Sequence, residues 1–276
     1  MRKEVKCSRN DATNATEEGK FGGCVRSRFG EKWQGFEQAT RRGPFDKWER
    51  AAQCRGPAMQ RQVQPELLDQ LAPNDPDALH NRRDLRFFNA VMGNHRWIER
   101  VVNGHLRMGD RLLELGAGEG DLGLRLRRGW RTRRIPYAGL DLWPRPAQWP
   151  ETWDWRREDI AAFPDYANYN VILGNLILHQ FEDKVLEELG RRWREHARLL
   201  VFCEPARSRL HLAQLPLAWV AGINHVSSHD ARVSILGGFR GRELPRLLGV
   251  DEPPWKISIR HTFLGAYRMV AVREGA

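Results

Sequence analysis

The 276-residue sequence has no apolar run approaching the roughly 20 residues that a membrane-spanning helix needs, so no membrane span is expected. Cysteine is scarce: Cys7, Cys24, Cys54 and Cys203 show neither metal-ligand spacing nor a disulfide framework, and no metal site is expected. The start, Met1-Arg2-Lys3-Glu4, lacks the apolar stretch of a secretory signal. A reducing, cytoplasmic location is therefore the expectation. Lysine is almost confined to the first 60 residues, with only Lys184 and Lys256 beyond them, so the net charge of +10 rests on arginine. A basic balance permits nucleic acid or an anionic membrane as partner. An arginine-rich, lysine-poor proteome produces the same balance with no such partner, and that plainer reading is preferred.

Residues 1–60 carry three of the four cysteines and show neither a 3.6 nor a 2.0 hydrophobic period. They read as a disordered basic extension, or as an artefact of start-site choice, since Met59 immediately precedes the first patterned sequence. An RNA-binding arm is the weaker alternative, with Phe21, Phe29, Trp33, Phe36, Phe45 and Trp48 in its favour. Residues 61–106 read as cap helices. Pro65–Leu71 is a short one; Asp75 caps the next, with Pro76 at its first position and an apolar face of Leu79, Leu85, Phe88, Val91 and Met92. Gly93 stops that helix, and Asn94–Leu106 forms another through Trp97, Ile98, Val101 and Val102.

The stretch on which the chain turns is Gly109–Asp121, GDRLLELGAGEGD. The apolar run Leu112, Leu113, Leu115 ends in Gly116-Ala117-Gly118-Glu119-Gly120, and a helical pattern over Glu119–Arg128 follows at once. Strand, glycine turn and helix are what hold a nucleoside-bearing cofactor at the carboxyl edge of a sheet, because glycine lets backbone approach the ligand. Glu114, at the strand's end, repels a pyrophosphate but can meet a cationic amino group. A generic strand-to-helix turn or a nicotinamide site remains open from the glycines alone. Tyr137–Leu142 reads as the second strand, and Asp141 at its end is placed to accept the two ribose hydroxyls of a nucleoside.

Residues 143–152, rich in proline and tryptophan, weaken the second helix and shorten it or replace it by a loop. Trp153–Arg157 reads as a third strand, Asn170–Leu178 as a central fourth, and Arg198–Cys203 as a fifth. Glu182 and Asp183 open a helix between the last two, whose face is Val185, Leu186, Leu189 and Trp193. Ser208–Ala221 is an apolar helix, Asn224–Asp230 a polar loop, and Arg242–Leu248 a short helix. Lys256–His261 and Ala266–Arg273 form a closing hairpin. The arginines from 125 to 134 read as a solvated helix end, because only Trp130 is interleaved with them. The class is α/β: a doubly wound, seven-stranded sheet over residues 107–276 behind N-terminal cap helices.

Glu114-Leu115-Gly116-Ala117-Gly118-Glu119-Gly120 resembles the first motif of the class I S-adenosylmethionine-dependent methyltransferases. Asn89-Ala90-Val91-Met92-Gly93-Asn94-His95-Arg96-Trp97 is similar to the helix before that motif in the ubiquinone and menaquinone C-methyltransferases. The resemblance spans roughly residues 85–273. It implies a Rossmann-like methyltransferase fold and S-adenosylmethionine as cofactor. It also implies that Asp141 fills the second motif, that Asp159 holds the adenine amino group and that Ile160 flanks the ring. Ala117, Leu142 and Asn175 join Glu114, Gly116, Gly118 and Gly120 in the expected cofactor site. The fourth strand's end faces the methyl group in this fold, so His179, one step beyond it, and His229 beside Asp230 are the candidate bases for a phenol-like acceptor. Each has a plain alternative, packing near the ribose for His179 and pinning a loop for His229.

The fourth strand ends in Gly174-Asn175-Leu176-Ile177, without the paired prolines and aromatic of amino methyltransferases. Cys203 reads as core, not nucleophile. The expected reaction is O- or C-methylation of a small, partly apolar acceptor such as a phenol, quinol or polyketide, in secondary metabolism. The alternatives are an RNA or protein methyltransferase and a cofactor-binding module without turnover. The oligomeric state is left open.

Overall fold

A computed structural model describes residues 59–72, 74–129, 134–220 and 222–275, the side chains of 217–220 excepted. The readings of residues 1–58, Trp130, Arg131 and Arg133 lie outside them.

Seven strands form one sheet: β1 (Leu112–Leu115), β2 (Tyr137–Asp141), β3 (Asp154–Arg157), β4 (Val171–Asn175), β5 (Leu199–Pro205), β6 (Trp255–His261) and β7 (Ala266–Arg273). Their order is β3-β2-β1-β4-β5-β7-β6. The first five are parallel, with Leu112 opposite both Tyr137 of β2 and Val171 of β4. β7 runs antiparallel between β5 and β6. β1, β2, β4 and β5 are buried almost throughout, as apolar runs covered on both faces must be. Strand order reverses between β1 and β4, and a crevice opens beyond the carboxyl ends of those neighbours.

The helices are α1 (Pro76–Met92), α2 (Asn94–His105), α3 (Asp121–Leu126), α4 (Asp183–His196), α5 (Arg209–Val220), α6 (His225–Gly237) and α7 (Glu243–Leu247). α4 drives Leu186, Leu189 and Trp193 into the core, where Trp193 stacks on Phe202 with ring centroids 5.6 Å apart. α2 buries Trp97, Ile98, Val101 and Val102 and packs against β5. Each such side chain contributes about 1.5–3 kcal/mol of apolar burial.

Several elements depart from the sequence reading. Pro65–Leu71 makes only a single 3₁₀ turn, Leu68–Gln70. Between β2 and β3 a loop replaces the helix, one of the two outcomes read from residues 143–152. In its place Trp149 and Trp153 fold back on Tyr137, Trp153 stacking at 4.3 Å and Trp149 tilting at 5.7 Å.

α1 begins and ends as read: the Asp75 carboxylate accepts the Asp77 N–H at 2.8 Å, and Gly93 closes the helix at φ +66°. Its buried face is not the apolar one. Ala78, Asn81 and Asp84 are buried, while Leu79 and Val91 are each 52% exposed.

The reason lies in α6, which covers residues read as a polar loop. Asn224 caps it by accepting the Ser227 N–H at 2.7 Å, and Ser227 and Asp230 then point inward. Ser227 donates to Asp84 at 2.7 Å and Asn81 donates to Asp230 at 3.2 Å, so α1 and α6 meet through polar pairs. Among the described residues no helix is long and apolar enough to cross a membrane.

Candidate active site

A cavity of about 980 Å³ lies at the carboxyl ends of β1, β2 and β4, beneath α1, α6 and the segment before α1. Its floor is the glycine turn. Gly116 sits at φ +61° and Gly118 at φ +53°, both in the left-handed region that favours glycine. A Cβ on Gly116 would meet Ile177 Cγ1 at 2.7 Å, whereas one on Gly118 would enter open space. Leu176, directly after β4, holds the same left-handed region at φ 57°, the one non-glycine to do so among the described residues. Its N–H donates to Cys203 O at 2.8 Å.

Glu114, Gly116, Ala117, Gly118, Asp141, Leu142, Asp159, Ile160 and Asn175 all line this cavity. Gly120 does not; a Cβ there would meet Trp149 Cε3 at 2.8 Å, so glycine makes room for the tryptophan. The Asp141 carboxylate accepts from Gly118 N–H at 2.7 Å and Trp143 N–H at 2.9 Å, which fixes it at the turn's rim. Asp159 accepts from Ala161 N–H at 2.8 Å, and Ile160 is buried beside it. Glu114 is buried and accepts the Tyr137 hydroxyl at 2.6 Å. Burial pushes its carboxyl up to about 8, against the lowering effect of that hydrogen bond.

The donor set fits an adenosyl sulfonium carrying an amino acid. Two carboxylates stand at separate points of the rim, a third can regain its charge beside an ammonium, and the Gly118 face is open. The Asn175 amide donates to Asn89 Oδ1 at 3.0 Å, and its own Oδ1 is shielded from solvent with no hydrogen-bond partner. A buried acceptor of that kind calls for a donor, which water or a ligand can supply.

The two histidines singled out from the sequence are placed differently from what proton removal needs. His179 lines the cavity, but both ring nitrogens are committed. Nδ1 meets Glu204 at 2.9 Å, and Nε2 lies 3.2 Å from Glu66 and 3.1 Å from Ser234. Burial opposes charge on this ring, yet the hydrogen bonds and charges of Glu204 and Glu66 outweigh it and raise its pKa to about 9. At neutral pH His179 is an imidazolium clamped between carboxylates. Burial likewise opposes the Glu66 charge, and His179 more than offsets it, holding that carboxyl below its usual range.

His229 is 45% exposed at its side chain and absent from the cavity wall; its Nδ1 lies 3.1 Å from Asp230. Neither histidine offers the cavity an uncommitted ring nitrogen. Cys203 is fully buried, and burial pushes its thiol up to about 12, in keeping with a core residue.

Glu66, Ser234, Asn81, Asn89 and Asp69 are cavity residues that sequence reasoning did not single out. No local motif marks Glu66, Asn81 and Ser234, whose partners lie between 55 and 168 positions away. Asn89 alone had a signal, as part of the segment resembling the helix before the glycine motif.

Together the sheet order and the glycine-floored cavity define the class of fold: a Rossmann-like methyltransferase fold, with the closing β6–β7 hairpin. Solved structures similar to this chain agree. The plantazolicin methyltransferase BpumL in complex with SAH matches with TM-score 0.56 at 13% identity, over 75% of this chain and 93% of that one. The same enzyme with SAH and a monoazolic desmethylPZN analog gives 0.56 at 11%, over 71% and 88%. The plantazolicin methyltransferase BamL, with SAH and a triazolic desmethylPZN analog, gives 0.53 at 8%, over 75% and 92%. No family model matches the sequence, and no curated protein matches it.

Proposed function

We propose that this protein is an S-adenosylmethionine-dependent methyltransferase acting on the oxygen or ring carbon of a small, partly apolar acceptor. The observation that carries the reading is the convergence of Glu114, Asp141 and Asp159 on one glycine-floored cavity. The likeness to BpumL and BamL, both solved with SAH, supports the cofactor.

In this reading the open backbone at Gly118 admits the nucleoside, Asp141 accepts its ribose hydroxyls, and Asp159 with Ile160 holds the adenine. Glu114 faces the cofactor's amino group, whose positive charge restores the buried carboxylate. When bound, the cofactor supplies an activated methyl group on sulfur, which an aligned nucleophile displaces in line. The chain's contribution is alignment and exclusion of water: α1, α6 and the segment before α1 cover the strand ends.

His179 serves here as a positioning residue. It ties Glu66 of the covering segment to Glu204 of β5, and Glu204 also accepts the N–H groups of Ile177, Leu178 and His179 that follow β4. That network sets the strand end facing the reacting centre. Leu85, Phe88 and Phe263 contribute apolar wall for the acceptor. The test is mass spectrometry of metabolite extracts incubated with the protein and deuterium-labelled S-adenosylmethionine. A trideuteromethyl product supports the reading, and conversion of no acceptor, with the cofactor bound, favours a binding module.

A further inference from the structure

Beneath α1, α6 and the segment before α1, the cavity is walled by acceptors. Asp69, Asp84, Asp230 and Glu66 all line it, joined by Asn81. Counter-charge is sparse. His179 is shared between Glu66 and Glu204, His80 lies 3.6 Å from Asp84, and Asp230 has His229 at 3.1 Å besides the N–H groups of Leu67 and Leu68. The Arg82 and Arg86 guanidiniums lie against Glu119 instead, at the glycine turn.

Asn81 carries an independent observation, an acceptor with no partner in the fold. It is 2% exposed, and its Nδ2 donates to Asp230. A carboxylate only accepts, so the amide cannot be turned round, and Oδ1 is the atom left over. That Oδ1 is shielded from solvent and has no hydrogen-bond partner. An unmet buried acceptor costs about 1–3 kcal/mol, and a donor in the cavity removes that cost.

Asp69 points the same way. It is an exposed residue at the rim with no hydrogen bond or ion pair among the described residues, and partial desolvation with the like charges of Glu66 and Asp230, against the lowering effect of His179, brings its carboxyl up to about 6. A carboxylate held against like charges is satisfied by a cation.

We infer that this acidic end, formed by Asp69, Asp230, Asp84 and Asn81, binds a protonated amine or guanidinium group borne by the acceptor. The inference rests on the methyltransferase reading, which puts the acceptor in this part of the cavity. The acceptor class is thereby narrowed to apolar molecules with a cationic end, its body lying along the half-exposed Leu85, Phe87 and Phe263.

The test uses the full chain at pH 7.5 with saturating SAH, so that the cofactor's own amino group is already placed. 4-Phenylbutylamine and its uncharged counterpart 4-phenyl-1-butanol are titrated calorimetrically, after SAH alone has been titrated. The amine should bind at least tenfold tighter than the alcohol, and D69N, which removes a charge but no hydrogen bond of the fold, should erase most of that preference. Equal affinities, no binding of either probe, or a preference unchanged in D69N overturns the inference. The SAH titration separates the two ideas. SAH heat without amine preference sinks this inference alone, whereas absent SAH heat sinks the methyltransferase reading and with it the assignment to an acceptor.

Discussion

Asp141 Oδ2 accepts the backbone N–H of Gly118 at 2.7 Å, which ties the end of β2 to the floor of the cavity. The carboxylate is therefore oriented before any ligand arrives. Asp141→Ala removes hydrogen bonds to a charged group that contribute about 1.5–3 kcal/mol each, so SAH affinity should fall at least tenfold. Far-ultraviolet circular dichroism should be unchanged, since the bonds lost lie on an exposed turn. Unaltered affinity removes Asp141 from the site.

Two glycines of the same turn should respond differently to one methyl group. Gly116→Ala places Cβ against Ile177 at 2.7 Å with φ at +61° and should cost about 1–3 kcal/mol of stability. Gly118→Ala meets no protein atom and should cost only about 1 kcal/mol, yet its methyl group projects into the cavity. Urea unfolding should rank Gly116→Ala as the less stable, while calorimetry should show that Gly118→Ala still weakens SAH. Equal stability loss in both contradicts the packing described.

Glu114 gives a pH prediction of definite sign. Its folded pKa of about 8 lies above the ordinary carboxylate value of 4.5. The folded state therefore binds the extra proton between those limits. Its stabilising effect is full below about 4.5 and is lost as pH rises through about 8. Glu114→Gln lacks this titration, so the stability of the parent relative to the variant should decline from pH 5 to pH 9 without ligand. A flat difference curve, read by urea unfolding across that range, contradicts the buried neutral carboxyl.

His179 supplies a second pH dependence through a different network. Its folded pKa of about 9 exceeds the ordinary 6.5, so its contribution is full below about 6.5 and lost as pH rises through about 9. Glu66, lowered in the fold, contributes above about 4.5, and that part is lost as pH falls through its depressed value. His179→Phe leaves buried carboxylates unpaired and should destabilise by about 3–5 kcal/mol at pH 7, the loss shrinking toward pH 10. A loss under about 1 kcal/mol at pH 7 contradicts the clamp.

The sequence disclosed β1, β2, β4 and β5 because they are apolar runs punctuated by glycine, proline or acid. Val171–Leu173 and Leu199–Cys203 admit few other readings, and the residues expected to hold the cofactor all follow directly from such strand ends. Gly120 alone of them lies off the cavity wall, against Trp149 in a loop whose path no period reveals. The cover was far less legible. α6 and the inner face of α1 are built from Ser227, Asp230, Asn81 and Asp84, polar residues that look solvated until each is seen to satisfy another. The same holds for His179, whose position was readable from β4 while its partners at 66, 204 and 234 were not.

Whether the glycine-floored cavity takes an adenosyl sulfonium is decided by titration calorimetry of the full chain with S-adenosylmethionine. Saturable binding of one cofactor per chain is expected, with a dissociation constant at or below about 100 μM, that is, about −5.5 kcal/mol or stronger. The absence of saturable heat and of any rise in melting temperature at millimolar cofactor would contradict it.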